Sequence, residues 1–78
     1  MPNDLLPLEL LKPGECADVA AVTGEPGWVT RLAEMGVRIG IRVRVLQAGS
    51  PCLLQIGDSR LSLRGESGMQ ILVRLVAN

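Results

Sequence analysis

The 78-residue sequence has no histidine, tyrosine or phenylalanine, and it has a single tryptophan, Trp28, and a single lysine, Lys12. Without histidine or tyrosine, the serines have no obvious general base, and no G-x-x-x-x-G-K segment is present to hold nucleotide phosphates. The scarcity of aromatic side chains also removes the platforms on which single-strand binders stack bases. The composition therefore disfavours both a nucleotide-related enzyme and a general nucleic-acid binder.

Long apolar runs and an excess of one charge are also missing. Eight basic residues balance eight acidic ones, so no net charge attracts the chain to a polyanion. The longest uncharged run, residues 45–57, is interrupted by Gly49 and Pro51, whereas a membrane helix needs about 20 apolar residues. No basic segment precedes the apolar residues 5–11, unlike a secretory signal. We expect one cytoplasmic domain spanning residues 1–78, with no insertion into a membrane.

The two cysteines, Cys16 and Cys52, lack the CxxC-type spacing of zinc and iron–sulfur sites. With no export signal, they are predicted to be free thiols, and Cys52 is interpreted as a small core hydrophobe. Cys16, beside Glu15 and Asp18, could bind a soft divalent cation together with a carboxylate at an oligomer contact. We expect any such binding to be adventitious, and the sequence predicts no required cofactor.

The first segments predict a helical turn followed by a strand. Residues 7–12 favour a single turn that ends before Pro13, because the residue before a proline is pushed out of the helical region. In residues 15–22, alternation places Ala17 and Val19 inward and the neighbouring polar residues outward. Two consecutive alanines blur this two-residue period.

A short helix is predicted next. Pro26 suits a helix start, where its missing N–H has no partner, and Gly36 suits the left-handed residue that ends a helix. Val29 and Leu32 lie at helical spacing between them. A helix of about two turns is too short to be stable alone, so it must pack on the rest of the chain.

The remaining segments alternate as half-buried strands do. Residues 41–45 place three β-branched side chains on one face and two arginines on the other. A Gly57-Asp58 turn joins residues 52–56 and 60–64 into a hairpin. The closing strand is predicted to direct the side chains of Ile71, Val73 and Leu75 inward. The apolar residues predicted to face outward are Leu53, Leu72 and Val76.

Five short strands with one short α-helix inserted after the first are typical of a mostly β fold, a small SH3-like antiparallel β-barrel. An OB-like barrel is the alternative, but the chain is short and lacks the basic and aromatic surface that such barrels use for oligonucleotides. A domain this small buries only about 60–65% of its unfolded surface, so a partner or an oligomer would support its thin core.

One ordered set of residues resembles the FeoA family, the small cytosolic accessory proteins of bacterial ferrous iron uptake. The resemblance covers nearly the whole chain, and its main features are the run RLAEMG at residues 31–36, then Gly40, Pro51, and LSLR at residues 61–64 leading to Ile71 and Val73. A related barrel is the C-terminal domain of iron-dependent repressors, from which an alternative function follows: a self-associating, metal-responsive scaffold module. An isolated chain of this length favours the transport accessory.

The resemblance implies a non-enzymatic role in binding FeoB, a membrane transporter whose cytosolic G domain binds GTP. We expect docking through the outward residues Leu53, Leu72 and Val76, with nearby arginines fixing orientation and Trp28 available as an aromatic anchor. The same apolar residues could instead cover the core or pair in a homo-oligomer.

Arg31 and Arg64 raise a further hypothesis, since an arginine supplied in trans can stabilise the charge of phosphoryl transfer in a GTPase. The simpler explanation for these two residues is a surface ion pair of each arginine, with Glu34 and Glu66 respectively. The sequence favours the ion pairs.

Overall fold

A computed structural model describes residues 5–64 and 68–76 of the chain. The loop predicted for residues 65–69 therefore lies mostly outside the described residues. The elements in chain order are β1 (Leu6–Pro7), a 3-10 helix (Leu8–Leu10), β2 (Cys16–Thr23), α1 (Pro26–Glu34), β3 (Arg42–Gln47), β4 (Cys52–Ile56), β5 (Ser59–Leu63) and β6 (Gln70–Leu75). No helix in the described ranges is long and apolar enough to cross a membrane.

The six strands form a single antiparallel sheet in the order β1-β6-β2-β3-β4-β5. The sequence predicted five strands and missed β1, which is only two residues long and pairs Leu6 with Val73 and Pro7 with Leu72. Within the described residues, β1 and β5 are the two sheet edges and do not pair with each other. The mostly β, antiparallel fold is confirmed, but within the described residues no strand pairing joins β5 to β1 or β6 to close the sheet into the predicted SH3-like barrel.

Two β-bulges bend this sheet. The pairing of β2 with β6 shifts between Val19 and Ala21, and the pairing of β3 with β4 shifts between Val45 and Gln47. An extra residue in one strand increases the local twist and bends the strand. The first bulge also explains why the alanines of β2 blur the two-residue period: Ala20 is the extra residue.

One apolar core lies on the inner face of the sheet. Its twelve buried members are Leu8, Leu11, Ala17, Val19, Leu32, Val37, Val43, Val45, Cys52, Leu54, Ile71 and Val73. No polar or charged residue is buried within the described ranges. The inward alternation predicted for β2, β3 and β4 is confirmed by these residues. The prediction that Leu75 faces inward is wrong, because its side chain is 46% exposed at the end of β6.

Helix α1 starts and ends as predicted. Pro26 occupies its first turn, and Met35 is the C-cap residue. Gly36 then has a φ of 104°, its N–H donates to the Ala33 carbonyl, and the Val37 N–H donates to the Leu32 carbonyl at 2.8 Å. These two bonds form a Schellman motif, in which a left-handed residue satisfies the last helical carbonyls. The motif directs Val37 into the core next to the end of the helix.

Candidate functional site

An apolar groove of about 340 Å³ runs along the open side of the sheet. Its lining comes from the 3-10 helix, the start of α1, and the ends of β4, β5 and β6 that meet there, and consists of Leu8, Glu9, Trp28, Gly49, Ser50, Cys52, Leu63, Arg64, Met69, Gln70 and Ile71. We call it the Trp28 groove. It exists because β5 does not pair with β1 or β6, which leaves side chains between these strands without a covering strand.

Trp28 forms one wall of this groove. Its side chain is half-buried and packs against the core, so it covers the core and also presents a partly exposed indole. Gly24 lies beneath it: a Cβ at this position would be 3.2 Å from Trp28 Cε3 and 2.9 Å from Met69 Cγ. Both side chains therefore lie close to the backbone at Gly24, in the space that a Cβ would need.

Two of the six residues predicted to bind a partner line this groove. Trp28 and Arg64 both line the groove, and Arg31 lies one helical turn after Trp28 on α1. The ion pair predicted between Arg31 and Glu34 is wrong, because no such contact within 4.0 Å is present. The ion pair predicted between Arg64 and Glu66 falls outside the described residues.

The other three predicted residues do not form one patch. Leu53 is on β4, whereas Leu72 is on β6 and Val76 follows it, and strands β2 and β3 lie between them. Three strand spacings separate such residues by roughly 14 Å across the sheet. Leu53 is half-buried, not exposed as predicted, and Leu72 and Val76 are half-buried too. The structure therefore does not bring Leu53 together with Leu72 and Val76 in one surface.

The residues proposed as adventitious metal ligands already have partners. Arg44 Nε donates to Cys16 Sγ at 3.5 Å, and the Lys12 backbone N–H donates to Glu15 Oε1 at 2.7 Å. Arg42 Nε donates to Asp18 Oδ1 at 2.9 Å, and this bond lowers the pKa of the Asp18 carboxyl. Residues 5–64 and 68–76 contain no group of three or more cysteine, aspartate or glutamate side chains placed to hold a metal ion.

The two cysteines are free, as predicted, and lie in different surroundings. Burial raises the pKa of the Cys52 thiol, which lies at the bottom of the groove and is 7% exposed. Cys16 is half-buried on the outer face of β2. Since the thiolate is the nucleophile, the protonated and covered Cys52 is the less reactive of the two.

We expect iodoacetamide at neutral pH to alkylate Cys16 well before Cys52, as measured by mass spectrometry of peptides at successive times. The Cys16→Ser variant should then show only slow labelling, and the Cys52→Ser variant should label at the wild-type initial rate. Equal rates at the two thiols in the folded protein would contradict the burial of Cys52.

Sequence reasoning did not find Leu8, Leu63 and Met69 as part of the site. The sequence predicts Leu8 in a helical turn, Leu63 on the inner face of a strand and Met69 in a loop, because neither a two-residue nor a helical period shows which elements meet at an open edge. The sequence feature that could have indicated this site is the short stretch before Pro13, which has more apolar residues than a single helical turn can bury.

Comparison with known proteins identifies the family. The chain matches the FeoA domain over residues 6–75. A crystal structure described as the iron uptake regulatory protein FeoA is 25% identical, covers 94% of this chain and 100% of its own, and superposes with a TM-score of 0.83. The solution structure of the FeoA protein from Chlorobium tepidum is 29% identical, with coverage of 92% and 71% and a TM-score of 0.83. No curated protein matches. The chain belongs to the FeoA domain family.

Proposed function

We propose that this chain is a non-enzymatic accessory protein of ferrous iron uptake that binds the cytosolic part of the FeoB transporter through the Trp28 groove. Membership of the FeoA family, a family of small accessory proteins, supports the iron-uptake role. The observation that supports this binding site is an apolar groove with a partly exposed tryptophan in its wall. Tryptophan is among the residues most enriched at the energetic centres of protein interfaces.

The groove suits a short apolar segment of the partner. Leu8, Leu63 and Ile71 supply apolar walls, and Met69 adds a flexible side chain that adapts to different shapes. The indole already packs against the core, so ordering it on binding costs little conformational entropy. An apolar side chain inserted here would complete the burial of Trp28.

Charged groups in the lining would orient the bound segment. Arg64 and Glu9 belong to the same groove and have opposite charges. A partner segment with a carboxylate near Arg64 would gain a charge-assisted hydrogen bond, and the reversed segment would not. Arg31, on the exposed side of α1 one turn from Trp28, adds positive charge near the same rim.

The proposed contact requires neither a bound metal nor a reaction at this chain. We assign Arg31 and Arg64 to recognition of the partner. Arg64 lines the groove, and Arg31 is on α1 one turn after Trp28. A second copy of the chain in the groove is the competing occupant, and binding measurements distinguish it from the transporter.

The test is calorimetric binding of the purified chain to the transporter's cytosolic G domain, with GDP and with a non-hydrolysable GTP analogue. We expect wild-type binding in at least one nucleotide state and a loss of about ten- to thirtyfold in affinity for Trp28→Ala, because a central indole is removed. Circular dichroism of the variant establishes that it is folded.

Ile39→Ala is the matched control. Ile39 is a large apolar residue that is 72% exposed and lies outside the groove, so its removal should change the affinity by less than about twofold. Wild-type affinity in Trp28→Ala would remove the groove from the proposal. Absence of binding by the wild-type chain in both nucleotide states would contradict the FeoB role itself.

A further inference from the structure

Four arginines lie on the outer face of the sheet, opposite the core. Direct pairing across strands places Gln55 between Arg44 and Arg60, and Asp18 between Arg42 and Arg74. Residues that are directly opposite in an antiparallel pair project from the same face. All four arginines are exposed. We call the set Arg42, Arg44, Arg60 and Arg74 the arginine ladder.

One carboxylate lies within the ladder. Asp18 forms an ion pair with Arg42, and the nearby positive charge of Arg74 also lowers the pKa of the Asp18 carboxyl. Arg44 directs its Nε to the Cys16 sulfur, which is a weak acceptor. Among the described residues, Arg44, Arg60 and Arg74 have no acidic partner within 4.0 Å. Their remaining guanidinium N–H groups are available to oxygen acceptors.

The ladder gives a locally basic face to a chain with no net charge. It gathers four of the eight basic residues of the whole sequence on β6, β3 and β5, which are separated in the sheet by β2 and β4. An exposed shallow depression lies beside it, lined by Arg42, Arg44, Gln55 and Gly57 among others. Planar guanidinium groups hold carboxylates in a bidentate manner, and a cluster of them attracts an acidic partner over about one Debye length.

We propose that the arginine ladder is a docking surface for an acidic face of a protein partner. This inference goes beyond the proposed function, because it concerns the outer face of the sheet and does not depend on what enters the Trp28 groove. Charge complementarity selects the occupant. A single-stranded nucleic acid is the poorer fit, because the ladder has no aromatic side chain on which bases stack, and Trp28 lies at the groove.

The test is an NMR titration of the isotope-labelled full chain with a short poly-L-glutamate peptide at low salt. We expect shifts concentrated in the amides of β2, β3 and the ladder residues, and their loss at high salt through screening. The double variant Arg44→Gln with Arg74→Gln should bind the peptide about three- to tenfold more weakly, since two exposed charge contacts are removed.

Lys12→Gln with Arg38→Gln is the matched control, because it removes two exposed positive charges that belong neither to the ladder nor to the groove. It should retain wild-type affinity for polyglutamate to within about twofold. The inference is overturned by shifts spread over the whole surface, by an equal loss of affinity in the control, or by a DNA duplex that binds the ladder more tightly than the peptide. The peptide result stands apart from transporter binding, so each proposal fails on its own.

Discussion

The Leu32→Ala variant is expected to lose about 2–5 kcal/mol of unfolding free energy. Leu32 is 1% exposed and is the one fully buried residue of α1, so its side chain attaches the helix to the sheet. A helix of nine residues has little stability of its own. Since small domains have only about 5–15 kcal/mol in total, a loss of this size should bring the variant close to unfolding.

Urea unfolding followed by circular dichroism measures this loss, and Trp28 fluorescence follows the same helix. Thr30→Ala is the matched control, because Thr30 is exposed on the same helix, and it should change the free energy of unfolding by no more than about 0.5 kcal/mol. A loss below about 1 kcal/mol for Leu32→Ala would mean that α1 is held by contacts other than Leu32.

The Gly24→Ala variant is expected to lose about 2–4 kcal/mol, from backbone strain and a steric clash together. Gly24 has a φ of +146°, a conformation that residues with a Cβ rarely adopt. The added Cβ would lie 2.9 Å from Met69 Cγ and 3.3 Å from the Met69 Cα, and the second of these atoms is backbone. The chain would have to shift where β2 leads into α1 and Met69 precedes β6.

Gly27→Ala provides the control for this effect. Gly27 is in the first turn of α1, and a Cβ there would meet no heavy atom within 4 Å. Alanine favours helix by up to about 1 kcal/mol over glycine, so this variant should be as stable as the wild type or more stable. Thermal unfolding of the two variants measures the contrast. Equal stability of Gly24→Ala and the wild type would contradict the close packing of Met69 and Trp28.

The elements with a clear period were predictable from the sequence. Gly36 ends the helix because the Schellman bonds require a left-handed residue. Glycine adopts that conformation most readily, so the residue type alone indicates the helix end. Val43 and Val45 are buried because two-residue alternation assigns each side chain to one face. Such local rules depend on neighbouring residues alone, so they can be applied without knowledge of the fold.

Features set by pairing between distant segments were not predictable. Strand β1 has two residues and therefore no period, and it is defined by hydrogen bonding to β6. The bulge after Val19 and the exposure of Leu75 follow from where neighbouring strands start and stop. The groove likewise depends on which edges fail to pair, so the sequence indicated Trp28 and Arg64 as binding residues without showing that they share one site.

The sheet edges have a consequence for solubility. An open sheet exposes unpaired main-chain groups at both margins, and copies of a chain can add to such margins and grow into fibres. Here one margin is β1, which is only two residues long and includes Pro7, a residue with no N–H to donate. The other margin, β5, carries the exposed Arg60, whose charge opposes the stacking of like strands. Both margins of the sheet thus resist amyloid-like growth although they are not paired with each other.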